Sequence, residues 1–246
     1  MEGVVYIAHG SRSAAGNQLF IEFIHKVMEQ SGLAIQAYGF LENAEPSILE
    51  AIEQCIMLGA KQITVIPILL LPGIHATVDI PAVISKAKVL YPELVFRYGT
   101  TIGTDNIIVE ILADCLAESG FTGNDGEAVL LVGHGSRERE AMEGMERLAA
   151  KLWGKLGRKI ETGYLTARPG YLEKAEEMVS GHAAKLYVMP FLLFAGGFRV
   201  KKEDAFSRLG ASFEKEVKVC RPVGFDEKLI PLIVKKADEA KAMESL

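Results

Sequence analysis

Apolar positions in this chain fall into two rhythms that alternate from end to end. Short β-branched or aliphatic runs read as buried strands: "VVYIA", "QITVIPIL" and "ELVFRYG" in the first half, "AVLLVG", "IETGYL", "KLYVMPFL" and "EVKVCRPVG" in the second. Each is followed by a longer stretch with helical spacing. After "VVYIA", the residues Phe20, Phe23, Ile24, Val27 and Met28 fall at i, i+3, i+4, i+7 and i+8, one face of a helix. In "DIPAVISKAKVLY", Pro81 suits a first helical turn and Asp79 its cap. "DNIIVEILADCLAES" follows "ELVFRYG" in the same way. Strand and helix in alternation predict an α/β protein whose parallel sheets carry helices on both faces.

The two halves also resemble each other. "VVYIAHGSR" (residues 4–12) matches "VLLVGHGSR" (residues 129–137), placing His9 and His134 125 positions apart. "GFLENAEPSILEA" matches "GYLTARPGYLEKA" at an offset of 124, and "IPILLLPGIHATVDIP" matches "MPFLLFAGGFRVKKEDAF" at 123, setting His75 against Phe198. Three matches in one order indicate a duplicated unit, and the period is too long for a solenoid. Two α/β domains are therefore expected, residues 1–120 and 126–246, joined by "SGFTGNDGE" and facing each other across a central cleft. In open parallel sheets ligands bind beyond the carboxyl ends of the strands. His9, the Glu42 segment and the His75 segment all fall at such ends, which makes one shared site feasible.

Composition narrows the function classes. Of 246 residues 49% are hydrophobic and 24% charged, as in ordinary globular proteins. A net charge of -5 argues against a general nucleic-acid surface but leaves room for small anionic ligands. The amino terminus lacks the features of a signal peptide, and the longest apolar run, interrupted by Pro67 and Pro72, is too short to span a bilayer. Cys55, Cys115 and Cys220 are scattered singly, which fits a reducing cytoplasm and small buried hydrophobes rather than a zinc or iron–sulfur site.

The chemistry-bearing residues each have a plain structural explanation beside the functional one. His9 and His134 lie in "HGSR" turns, where glycine permits the bend, serine caps a helix and histidine bonds locally. Alternatively each is an imidazole at the ligand-binding end of a sheet, able to bind metal or move a proton. Glu42 is either a solvated loop acid or a carboxylate at a strand end, and its counterpart is Thr166. His75 leaves a buried strand after Gly73, where a polar group has little structural purpose. Asp79 either caps the next helix or serves the site. His25 and His182, with no counterpart in the other copy, are assigned to structure. Across the copies, His9, Glu42 and His75 face His134, Thr166 and Phe198: one half keeps the set and the other has lost it. Two imidazoles and a carboxylate suit a borderline divalent ion such as Fe²⁺, Co²⁺ or Ni²⁺, with coordination positions left open. The Gly-x-Ser-x-Gly elbow, the Arg-His-Gly of histidine phosphatases, Gly-x-Gly-x-x-Gly and the P-loop are all missing from the sequence.

"AHGSR", "FLENAEPSI" and "PILLLPGIHATVDIP" together resemble the sirohydrochlorin chelatases of the class II chelatase superfamily, in their long two-domain form, over essentially the whole chain. The resemblance implies two flavodoxin-like domains and insertion of a divalent metal into sirohydrochlorin, without ATP or an organic cofactor. It implies Fe²⁺ for siroheme synthesis or Co²⁺ for anaerobic cobalamin synthesis, while related short forms use Ni²⁺ as homodimers. It places the catalytic and metal-handling roles on His9, Glu42 and His75, with a degraded second half that nevertheless keeps His134. The lack of the histidine-rich tail seen in some cobalt-associated members favours iron. Sirohydrochlorin carries many carboxylates, so Ser11, Arg12, Ser136, Arg137 and the "FRVKK" segment are candidates for its rim, each equally explained as a cap or a solvated charge. The alternatives are a cobaltochelatase and, in a different class, a carrier that binds tetrapyrrole or metal without catalysis. Two fused domains would supply both walls of a cleft, so a monomer is expected with a homodimer as the alternative, and neither nucleic acid nor membrane is an expected partner.

Overall fold

Two four-stranded parallel sheets account for the alternation. In the computed structural model, residues 1–245 other than His182 and Ala195 are described, with the backbone alone for residues 196–197 and 199–203. The first sheet comprises β1 (Glu2–Ala8), β2 (Gln36–Phe40), β3 (Gln62–Ile68) and β4 (Val95–Tyr98), in the order β2-β1-β3-β4. Its helices in chain order are α1 (Ala14–Ser31), α2 (Ile48–Met57) and α3 (Ile80–Leu90), the last preceded by a π-helical turn over His75–Asp79. After α4 (Asn106–Glu118) the pattern repeats with β5 (Glu127–Gly133), α5 (Arg139–Leu156), β6 (Ile160–Tyr164), α6 (Tyr171–Ser180), β7 (Lys185–Pro190), α7 (Gly196–Ser212), β8 (Glu216–Val219) and α8 (Leu229–Lys241). The second sheet has the equivalent order, β6-β5-β7-β8.

Both faces of each sheet are covered, which is why the strands read as unbroken apolar runs rather than alternating ones. Val5 and Ile7 of β1 pack with Ile48, Ile52, Ile80 and Ile84 from α2 and α3, while Val4, Tyr6 and Ala8 are equally buried on the opposite face. The face of α1 read from the sequence is the buried one, with Phe20, Phe23, Ile24 and Val27 inside. The capping serine of α1 is Ser13, whose Oγ accepts a hydrogen bond from Gly16 N at 3.3 Å, and not Ser11 of the "HGSR" turn.

The compact units do not follow the repeat boundary. One comprises Met1–Gly103 with Glu227–Leu246, the other Thr104–Asp226. Helix α4, which follows the last strand of the first sheet, packs on α5 and β7 of the second unit; α8 packs on α1, β3 and β4 of the first. The last helix of each copy thus completes the other copy's sheet.

Phe198, the counterpart of His75, is 5% exposed and packs with the rings of Tyr171 and Phe206 at 6.1 and 6.3 Å. Truncation to alanine leaves a cavity in that cluster and is expected to destabilise the protein by about 3 kcal/mol in denaturant unfolding. The three cysteines are free and buried, as expected, and burial pushes the Cys55 thiol up to about 11 and that of Cys115 to about 12. Neither is a thiolate available to a metal near neutral pH.

Candidate functional site

In the order β2-β1-β3-β4 the winding reverses between β1 and β3, so the carboxyl ends of those two strands flank the topological switch point. His9 directly follows β1, and His75 follows β3 after the six residues 69–74. Ladder bonding runs past the end of β2: Leu41 N donates to Ala8 O at 2.9 Å and Glu42 N to His9 O at 3.0 Å. Glu42 is thereby held beside His9. The approach requires Gly10, whose φ is 87°; a Cβ there would stand 1.8 Å from the Glu42 carbonyl oxygen. Gly10→Ala is therefore expected to displace the Glu42 segment, lowering stability by about 1–3 kcal/mol and any activity that needs Glu42 beside His9. Thermal unfolding and steady-state kinetics of the variant check both parts.

His75 opens the π-helical turn. Gly73 O accepts from Ala76 N at 2.9 Å and Thr77 N at 3.1 Å, and Ile80 N reaches back to His75 O. Tyr98, at the end of β4, donates its hydroxyl to Ala76 O at 2.8 Å and ties the turn to the sheet. Burial pushes the Tyr98 hydroxyl pKa upward, which keeps it a donor. Single π turns inside helices occur frequently at functional sites.

The two imidazoles meet. His9 Nε2 and His75 Nε2 are 3.1 Å apart, with ring planes inclined at 78°, and Glu42 Oε1 lies 3.5 Å from His9 Nε2. All three side chains are partly exposed, at 32%, 40% and 53% for His9, His75 and Glu42. The other ring nitrogens are committed. His9 Nδ1 is 2.8 Å from the Gly10 carbonyl and His75 Nδ1 is 2.7 Å from Asp79 Oδ2. A carbonyl oxygen and an ionised carboxylate only accept, so both Nδ1 atoms carry the proton. In the neutral rings each Nε2 then presents a lone pair toward the other. A proton or a metal ion between them turns a repulsive contact into an attractive one. Two nitrogens 3.1 Å apart and each about 2.1 Å from one ion would subtend about 95° at it, a normal coordination angle.

Among the described residues no three His, Cys, Asp or Glu side chains are already disposed to hold an ion together. His9 and His75 form a two-nitrogen pair with Glu42 beside it, a partial shell with positions to spare. The second copy keeps the backbone without the chemistry. Thr166 N donates to His134 O at 2.9 Å, Leu165 N donates to Gly133 O at 3.0 Å, and Gly135 has a φ of 90°. His134 is exposed, and its Nδ1 lies 3.1 Å from Gly135 O, while the Thr166 hydroxyl donates to His134 O.

Asp79 was expected as a helix cap or a member of the site. It is helical in backbone, makes no capping hydrogen bond and holds His75. Ser11 Oγ accepts from Ser13 N at 3.1 Å and Ser136 Oγ from Glu138 N at 3.0 Å, so both serve their own turns. Arg12 and Arg137 are exposed and make no ion pair among the described residues. The "FRVKK" side chains of Arg199, Lys201 and Lys202, and His182, lie outside the described residues. His25 packs edge-on against Tyr38 at 5.6 Å, in keeping with a structural role. Asn43 and Tyr98 join the site without a sequence motif to mark them: Asn43 adopts φ 62° and donates from Nδ2 to Glu42 Oε1 at 2.9 Å. Asparagine tolerates the left-handed region, and its place next to the acid was the available signal.

Comparison with known proteins finds relatives along nearly the whole chain. A sirohydrochlorin ferrochelatase of Priestia megaterium is 35% identical over 198 residues, covering 80% of this chain and 74% of that protein. A sirohydrochlorin cobaltochelatase of the same organism is 32% identical over 246 residues, 97% of this chain and 80% of the relative. The solved structure of SirB from Bacillus subtilis with Fe3+ superposes with a TM-score of 0.87 at 26% identity, over 98% of this chain and 96% of that one. The family model CbiX matches twice, at residues 3–119 and again at 128–240, once for each copy of the repeat. With nearly the whole chain so covered, this protein belongs to the CbiX family.

Proposed function

We propose that the chain is a sirohydrochlorin chelatase, which places a divalent ion in the macrocycle without ATP or an organic cofactor, giving siroheme when the ion is Fe²⁺. The observation that carries this reading is the pair of Nε2 atoms 3.1 Å apart, each with its opposite ring nitrogen tied to an oxygen acceptor. Metallation of a tetrapyrrole releases two pyrrole N–H protons and exchanges waters on the ion for ring nitrogens. The imidazole pair supplies two neutral donors that hold the ion while leaving positions open for the incoming macrocycle. Glu42, 3.5 Å from His9 and half exposed, is placed to accept a proton and pass it to water. Arg12 and Arg137, both exposed and without an ion pair among the described residues, are candidates for a substrate carboxylate.

Two nitrogens and a carboxylate serve Fe²⁺ and Co²⁺ alike, and Co²⁺ insertion is the alternative activity. The iron assignment rests on the family resemblance and on the ferrochelatase relative; the cobaltochelatase relative supports the alternative. Incubation of the protein with sirohydrochlorin and either ion, followed by absorption spectroscopy, tests the proposal. Acceleration over the spontaneous reaction with at least one ion supports it, and the faster ion names the activity. Binding of tetrapyrrole or metal with no acceleration would make the protein a carrier instead.

A further inference from the structure

We propose that Asp79 is a positioning residue that holds His75 in the Nδ1–H form and so reserves its Nε2 for the ion. The proposal rests on the chelatase reading for its purpose and on geometry for its content. Asp79 Oδ2 lies 2.7 Å from His75 Nδ1, the shortest contact in the cluster. Among the described residues the carboxylate makes no other bond: it stands where α3 begins, yet it makes no capping bond there. The i,i+4 spacing that brings the two groups together belongs to the π-helical turn itself, whose closing bond from Ile80 N to His75 O surrounds them. Without an acceptor at Nδ1, an imidazole ring is free to carry its proton on Nε2, which would point an N–H at His9 and remove the lone pair a metal needs.

An internal comparison supports the assignment independently. At the offset that aligns His75 with Phe198, Asp79 aligns with Lys202. The copy that lost the imidazole has also lost the carboxylate; the helix there, α7, already begins at Gly196 and runs through Lys202. In metal sites of this kind the acceptor behind a histidine typically governs affinity or activity by about 10–100-fold.

The experiment compares wild type, Asp79→Asn and Asp79→Leu as full-length proteins. The ¹⁵N and ¹H spectra of the His75 ring, recorded without metal at a pH where the ring is neutral, report the tautomer directly. Wild type is expected to show Nδ1–H, and Asp79→Leu a population of Nε2–H. Asp79→Asn keeps an acceptor oxygen and is expected to retain the wild-type tautomer. Co²⁺ affinity, followed by its visible absorption, should fall about 10–100-fold in Asp79→Leu and by much less in Asp79→Asn. An unchanged tautomer and unchanged Co²⁺ affinity in Asp79→Leu would overturn the proposal, as would equal losses in the two variants. Neither readout uses the tetrapyrrole, so failure of wild type to metallate sirohydrochlorin would reject the chelatase reading while leaving the tautomer result to judge Asp79.

Discussion

His75→Ala is expected to lower the rate of metal insertion by about 10³-fold while leaving the fold intact. The substitution removes one of two nitrogens 3.1 Å apart, together with a ring that is 40% exposed and contributes little to the core. Loss of a group that both binds the ion and exchanges protons falls in the range of about 10²–10⁴ in rate, and 10³-fold is about 4 kcal/mol of transition-state stabilisation. The change should appear in kcat/KM for the metal, with circular dichroism and the unfolding midpoint near wild type. Phe198→Ala offers the reciprocal behaviour. It occupies the equivalent place in the repeat, yet its ring sits in the aromatic cluster of the second sheet, so its effect falls on stability.

The second large effect separates the two copies. His9→Ala is expected to lose about 10²-fold or more, whereas His134→Ala, removing an exposed ring that bonds within its own turn, should stay within about threefold of wild type. The backbones around the two residues are alike, each accepting a hydrogen bond from the residue two beyond the neighbouring strand and each followed by a glycine of positive φ. What differs is the company. His9 has His75 at 3.1 Å and Glu42 at 3.5 Å, and His134 has the Thr166 hydroxyl. A larger loss from His134→Ala than from His9→Ala would transfer the chemistry to the second copy.

Much of the fold was legible in the sequence. Strand and helix order followed from hydrophobic periodicity, because strands buried on both faces write unbroken apolar runs. The duplication singled out the candidate residues, since it supplied an internal control in which Phe198 and Thr166 stand where His75 and Glu42 do. Other features were not legible, for physical reasons. The exchange of α4 and α8 between the two units cannot be read from periodicity, because equivalent amphipathic helices fit equivalent sheets and the pattern does not say whose sheet. Asp79 had two uses open to it, a cap or a partner for His75, and only the π-helical turn decides between them. Ser13 rather than Ser11 caps α1 because the turn after His9 runs two residues longer than the motif suggests. Asn43 holds Glu42 from a left-handed backbone conformation that leaves no mark on hydrophobic pattern.

The first copy is proposed to hold the ion between His9 and His75. Crystals equilibrated with Co²⁺ and measured at the cobalt absorption edge test it most directly, because anomalous scattering locates the ion without assumptions about activity. The expected result is a peak about 2.1 Å from the Nε2 atoms of both histidines, with Glu42 drawn toward it. A peak at His134 instead, with the His9–His75 pair left empty, would contradict it.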